Sequence, residues 1–179
     1  MRAQRFLDLE EGAPLVLAMG GGTGALSLNR IVAEAARELC EEVQVVHLTG
    51  AGKAVTDWSH TRYRAFEFLT EEFPDVLAAA DVMVSRSGMS SLAEIGARGK
   101  AAIVVPMPNS HQEVNAALLQ RAGAAVVRAE AGLTGVALAG EVRALLNQPE
   151  QRVILGEAAG RLLPADAARR IADDLSALA

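Results

Sequence analysis

The sequence predicts an α/β fold: a doubly wound, six-stranded parallel sheet of the Rossmann-like type. Three observations predict it. From Leu15 onward, short apolar runs alternate with longer amphipathic ones, the pattern of strands joined by helical crossovers. The strand candidates are apolar throughout rather than alternately polar, so both faces of the sheet are covered. The first of them runs straight into a glycine cluster, where such folds turn from strand to helix.

Leu15-Val16-Leu17-Ala18-Met19 is the first strand. Leu26 to Cys40 is a helix, with Leu28, Ile31, Val32, Ala35 and Leu39 three and four residues apart. Val43 to Leu48 is a second strand, and Tyr63 to Leu69 a third with Phe66 and Phe68 on one face. Glu71 to Ala80 is a short helix with Pro74 in its first turn, where a missing N–H is tolerated. Asp81 to Ser85 is the fourth strand. Met89 to Arg98 is a helix, stopped by Gly99. Ala101 to Val105 is the fifth strand, ended by Pro106 and Pro108. His111 to Arg121 is a helix, and Ala124 to Val127 the sixth strand. Leu133 to Asn147, Glu150 to Arg161 and Ala165 to Leu178 complete the chain as helices, with Pro149 and Pro164 at their starts.

The 179 residues suit one domain. Residues 1–13 read as a linker or leading segment and 164–179 as the C-terminal helix. With 17 basic and 22 acidic residues and no basic tract, a generic nucleic-acid binder is excluded. The apolar fraction of 51% excludes a disordered chain. A lone cysteine, Cys40, forms no internal disulfide and fits a reducing, cytoplasmic compartment. Met1 to Gly12 is charged, without a signal-peptide apolar stretch, and no apolar run reaches the ~20 residues needed to span a bilayer.

In such sheets ligands bind at the carboxyl ends of the strands, so the chemistry is sought in those loops. The first is Gly20-Gly21-Gly22-Thr23-Gly24-Ala25. Glycines there let backbone N–H groups approach an anion, and the following helix adds a favourable dipole. A tight strand-to-helix turn is the plainer reading, but four glycines in five residues exceed what a turn needs. Gly20, Gly22 and Ala25 also satisfy a dinucleotide-type pattern. The second strand, however, ends His47-Leu48-Thr49-Gly50, without the acid a dinucleotide ribose requires. A P-loop is excluded, because no Gly-Lys-Ser/Thr follows.

The fourth loop, Ser85-Arg86-Ser87-Gly88-Met89-Ser90-Ser91, leads to Glu94. Its serines either cap helix N–H groups or bond a diphosphate. Glu94 is either a surface glutamate or a carboxylate for two ribose hydroxyls. Arg86 is a phosphate contact or, preferably, a structural ion-pair partner. The fifth loop runs from Pro106 through Asn109-Ser110-His111-Gln112-Glu113-Val114-Asn115. Gln112 and Asn115 share a helical face, which suits sugar hydroxyls, whereas Asn109 or Ser110 reads as a helix cap. His47 and Thr49 belong to the same sheet edge. Asp and Glu show no metal-ligand spacing, so metal-independent binding is expected.

These loops, in this order, resemble the MurG family of GT-B glycosyltransferases, specifically its carboxyl-terminal, donor-binding half. The likeness extends from Leu15 to the last helix. It is carried by the glycine loop followed by Leu28-Asn29, by His47-Leu48-Thr49-Gly50, by Ser85-Arg86-Ser87-Gly88 with Glu94, and by His111-Gln112-Glu113-Val114-Asn115-Ala116. The resemblance implies UDP-N-acetylglucosamine as donor substrate, with no cofactor. It implies transfer, with inversion, to the lipid-linked muramoyl-pentapeptide of peptidoglycan synthesis. Glu94 would hold the ribose hydroxyls, and the backbone near Phe68 and Leu69 would meet the uracil edge. Gly22, Ser87, Gly88 and Met89 would surround the diphosphate, and Gln112 and Asn115 the sugar. His47 and Thr49 would support or line the same cleft. Gly21, Thr23, Gly24, Ser90 and His111 complete the substrate-binding set. The family's amino-terminal half holds the acceptor site and catalytic base. No catalytic residue is therefore expected in this chain, whose partner half would be part of the same parent chain or a separate subunit. The setting implied is the inner face of the cell membrane, held peripherally. Two departures stand out: Gly22 occupies a position where the family usually has Ser, and Ser110 one where it often has Asp. Arg2 or Arg5 would match a phosphate-contacting arginine that precedes the family's domain. A non-catalytic UDP-sugar-binding protein is the alternative reading.

Overall fold

The computed structural model describes residues 7, 9–20, 25–55 and 57–178. Strands β1 (Leu15–Met19), β2 (Gln44–Leu48), β3 (Tyr63–Phe66), β4 (Val82–Ser85), β5 (Ala102–Val104) and β6 (Val126–Val127) form one sheet in the order β3-β2-β1-β4-β5-β6. Every pairing is parallel. The helices are α1 (Leu26–Leu39), α2 (Phe73–Ala79), α3 (Met89–Arg98), α4 (Gln112–Arg121), α5 (Gly135–Leu146), α6 (Pro149–Leu162) and α7 (Ala167–Ala177). The doubly wound parallel sheet is the architecture expected.

Strand periodicity sorts the core into two layers. Val16 and Ala18 of β1 face the layer built from Leu28, Val32 and Ala36 of α1 and Leu138 and Val142 of α5. Leu15, Leu17 and Met19 face the opposite layer, with Val76 of α2, Leu92 and Ile95 of α3, and Ala116 and Leu119 of α4. Both faces are therefore buried, which is why the strand sequences carry no polar alternation.

Several boundaries differ from the expectation for physical reasons. β3 stops at Phe66, opposite Leu48, the last residue of β2; the Glu67 carbonyl still accepts from Gly50 N at 3.1 Å, and Phe68 and Leu69 then leave the sheet and line a cleft at its carboxyl edge. β6 begins at Val126 because Ala124 completes the end of α4. Gly123 adopts a left-handed φ of 62°, and the Ala124 N–H returns to the Leu119 carbonyl at 2.9 Å. The described residues ahead of β1 pack against the domain. Leu7 is buried in the second core layer, and the Gln44 amide brackets the segment, accepting from Glu10 N and donating to the carbonyls of Glu10 and Ala13. Helix α7 contributes no residue to the core, and Ile171, Leu175 and Leu178 lie exposed along it.

Helix α6 packs tightly against the end of α3. A Cβ added at Gly156 would sit 2.0 Å from the Gly99 carbonyl oxygen, and the Gly99 φ of 57° leaves that backbone little room to move. Gly156→Ala is accordingly expected to lower the urea midpoint by the equivalent of about 1–3 kcal/mol, the usual cost of overpacking. Gly140→Ala, where an added Cβ meets nothing within 4 Å, should leave the midpoint unchanged or raise it.

Candidate functional site

Helix α1 leaves β1 for one face of the sheet and α3 leaves β4 for the other. The neighbouring strands β1 and β4 thus part at their carboxyl ends and open a crevice at the switch point. On its β2–β3 side lies a cleft of about 240 Å³, lined by Met19, Leu48, Phe68, Leu69, Phe73 and Glu94, with Gly50, Glu67, Ser90 and Ser91 at its polar margins. That volume is below the range of about 300–1,000 Å³ usual for whole small-molecule sites. It suits a base and its sugar, with the remainder of a larger ligand lying outside it.

Glu94 is the chemically distinctive group. It lies one turn into α3, and its Oε2 is buried without a hydrogen-bond partner. Burial raises its pKa above the ordinary carboxylate value. Leaving a buried acceptor unpaired costs about 1–3 kcal/mol, and this oxygen can take a donor brought into the cleft. Ser90 and Ser91 border the same cleft, and Phe68 forms an exposed apolar lip.

Around the corner lie the starts of α1 and α3. Ala25 caps α1 and Gly88 caps α3, both with extended backbone and neither with a side chain bonded to the first-turn N–H groups. Neither first turn holds an acid. By contrast, Thr134 caps α5 by accepting from Ala137 N. Uncapped N–H groups and the helix dipole together favour an anion. Gly21, Gly22, Thr23 and Gly24 lie outside the described residues, as do Arg2 and Arg5.

Beyond Gly88, the Gln112 side chain forms the next wall. Its Oε1 accepts from Met107 N at 3.1 Å, which turns the amide nitrogen toward Gly88, 3.9 Å from where a Cβ would be. Asn115 donates to the Ser87 carbonyl at 2.9 Å, and the Ser87 hydroxyl donates to the Gln112 carbonyl at 2.7 Å. Ser110 accepts from Gln112 N and donates to the Met107 carbonyl, so it serves α4 as a cap. His111 is exposed at the helix start.

For three of the expected residues the structure narrows the role. The Ser87 side chain is fully buried and committed to Gln112, so only its backbone is available to a ligand. His47 is 1% exposed. Its Nδ1 is 2.8 Å from the Tyr63 hydroxyl and its Nε2 3.2 Å from Asn29 Oδ1. Thr49 is fully buried, its hydroxyl turned to the carbonyls of Phe66 and Gly50. Neither His47 nor Thr49 lines the cleft; both support it from beneath. Asn29 ties the arrangement together by donating to the carbonyls of Thr49 and Lys53, which shapes the turn after β2.

Sequence reading missed the apolar floor of Met19, Leu48 and Phe73, and Glu67, which accepts from Gly52 N at 2.6 Å. The floor was signalled by parity: Met19 alternates with Ala18 and so falls on the α3 side. Nothing in the sequence signalled Glu130, the ion-pair partner of Arg86. Among the described residues, no group of three or more His, Cys, Asp or Glu is placed to hold a metal ion, and no helix is long and apolar enough to cross a membrane.

The fold and cleft define a class: a doubly wound α/β domain with a small, apolar-floored cleft and two open helix N-termini at its switch point. Residues 15–171 match the model of the Glycosyltransferase family 28 C-terminal domain, and the chain belongs to that family. It is 41% identical over 169 residues to the UDP-N-acetylglucosamine--N-acetylmuramyl-(pentapeptide) pyrophosphoryl-undecaprenol N-acetylglucosamine transferase of Gloeobacter violaceus, covering 90% of this chain and 47% of that one. The enzyme of the same name from Anaeromyxobacter dehalogenans strain 2CP-C is 42% identical over 174 residues, covering 90% and 45%. The chain therefore spans about half the length of these relatives. The crystal structure of Acinetobacter baumannii MurG shares the fold, with a TM-score of 0.73 at 22% identity over 96% of this chain and 52% of that one.

Proposed function

We propose that this chain is the donor-binding half of an inverting N-acetylglucosaminyltransferase. It holds UDP-N-acetylglucosamine while the sugar passes to the 4-hydroxyl of the lipid-linked muramoyl-pentapeptide in peptidoglycan synthesis. The observation that carries the reading is the unpartnered Glu94 oxygen buried beside an apolar cleft. A base seated against Leu69 and Phe73 puts its ribose hydroxyls within reach of that carboxylate. The diphosphate then lies across the starts of α1 and α3, and the sugar beside Gln112, Asn115 and His111. The names and about 41% identity of the relatives support the same substrate.

The chemistry assigned to this half is electrostatic. When the glycosidic bond breaks, negative charge collects on the departing UDP. Helix N-termini fixed in advance stabilise that charge without reorganising, each worth about 0.3–2 kcal/mol. The acceptor and the base that takes its proton belong to the other half, carried by the same parent chain or by a separate subunit. The lipid-linked acceptor would keep the assembled enzyme peripherally at the inner membrane face.

Calorimetric titration tests this. UDP and UDP-N-acetylglucosamine are expected to bind, with or without a metal chelator, and NAD to compete with neither. Displacement of UDP by NAD, or no binding of UDP, would overturn the reading. Supplying an acceptor half should restore transfer; donor binding without turnover in that mixture would instead favour a non-catalytic UDP-sugar-binding protein. Acidity provides a further expectation. The ionised Glu94 accepts from both hydroxyls, and burial raises its pKa. UDP affinity should therefore decline as pH falls through that raised value, and Glu94→Gln should bind weakly with no such decline.

A further inference from the structure

We infer that Arg86, paired with Glu130, is a positioning residue that sets the starts of α1 and α3 relative to one another and so governs diphosphate binding without touching the ligand. The inference rests on the donor-site reading above. Arg86 is 4% exposed. Its Nη1 donates to the carbonyls of Val105 at 3.1 Å and Pro106 at 2.9 Å, where β5 leaves the sheet. Its Nη2 donates to Ser27 Oγ at 3.0 Å, in the first turn of α1, and to Glu130 in the loop after β6. Ser27 donates in turn to the same Glu130 oxygen at 3.1 Å. One guanidinium thus joins three segments at the carboxyl edge, and its own backbone leads through Ser87 to Gly88, the cap of α3. Through the bond from Ser87 to Gln112, the start of α4 is attached to the same point.

Two features favour positioning over direct phosphate contact. Both terminal nitrogens of Arg86 already have protein partners, and its charge is neutralised by a carboxylate that is itself largely shielded from solvent. The arrangement also needs a planar fork. A lysine would supply the same charge from a single point and could not reach three segments at once.

UDP and uridine separate the possibilities, because uridine occupies the base and ribose cleft but carries no phosphate. In NMR titrations Arg86→Lys should lower UDP affinity about 10-fold or more, equivalent to one lost charge-assisted bond, while uridine affinity stays within about twofold of the wild type. Glu130→Ala, at a more open position, should act in the same direction, and the double variant should be no weaker than the weaker single, since the pair acts as a unit. Retention of UDP affinity in Arg86→Lys would overturn the inference, because charge alone would then suffice. Equal loss of UDP and uridine would also overturn it, as the sign of a general structural role. Wild-type protein that bound uridine and UDP equally, or neither, would refute the donor-site reading itself.

Discussion

Replacing Glu94 by alanine is expected to lower UDP affinity by more than about 100-fold, since two hydrogen bonds to a charged acceptor are worth about 1.5–3 kcal/mol each. Uridine should lose as much, because the contact is to the ribose. The folded domain should lose nothing. In the free protein the Glu94 Oε2 is buried without a partner, so deleting the carboxylate removes a desolvated acceptor rather than a bond. Urea denaturation should show a midpoint equal to or above that of the wild type. A group whose removal harms ligand binding but not stability is one held for the ligand. If instead the midpoint falls and UDP affinity does not, Glu94 is a structural residue and the cleft is not the ribose site. Gly156→Ala supplies the converse control, a fall in stability at a residue that does not line the cleft.

Much of the fold was legible because punctuation and period agreed. β1 matches its expected limits, an apolar run closed by glycine, and α3 does too. Gly99, at φ 57°, ends α3 in the left-handed conformation that a helix stop requires. The end of β3 was not legible. Glu67-Phe68-Leu69 continues the residue preferences of a strand, but beyond the Leu48–Phe66 pair only the Gly50 N–H to Glu67 carbonyl bond at 3.1 Å remains, and pairing is a property of two segments rather than one. The same departure from the sheet makes those residues the wall of the cleft. Helix α7 shows the opposite case. Its helical extent was legible, yet nothing in the described chain covers the exposed Ile171 and Leu175 along it.

For the site, the residues alone left Glu94 open between a surface glutamate and a ribose-binding carboxylate, and it was the resemblance of the ordered loops that singled it out. Which of the two expected roles His47 takes, supporting or lining the cleft, was legible in part. His47 shares strand parity with Val45, which faces the layer containing α1, so its ring had to point into that layer. What parity could not show is the company waiting there: Asn29, 18 residues earlier, and Tyr63, 16 later. The pairing of Arg86 with Glu130 was beyond reach for the same reason. The two lie 44 residues apart, in loops after different strands, and only the closing of the sheet edge brings them together.

The buried ring of His47 gives the domain a specific weakness to acid. Asn29 Nδ2 must face the carbonyls of Thr49 and Lys53, because only an amide nitrogen can donate to them. Its Oδ1 therefore faces His47 Nε2, which carries the proton, and Nδ1 accepts from the Tyr63 hydroxyl. Burial holds that hydroxyl protonated, with a pKa pushed up to about 12. The neutral ring is satisfied at both nitrogens, and burial pushes its pKa from 6.5 down to about 4. Below pH 6.5 the unfolded chain takes up a proton that the folded chain refuses. Stability is therefore complete above that pH and declines as pH falls toward 4, by about 3 kcal/mol for this one group. Against a total of about 5–15 kcal/mol for a typical domain, such a loss is large. Urea midpoints at pH 7 and pH 4.5 should show it, and His47→Gln, which keeps a polar end without the titration, should have a shallower pH dependence. Carboxylates that titrate in the same range are common to both proteins and cancel in the difference. An identical pH dependence in the two would mean that the ring accepts its proton as readily inside the fold as outside.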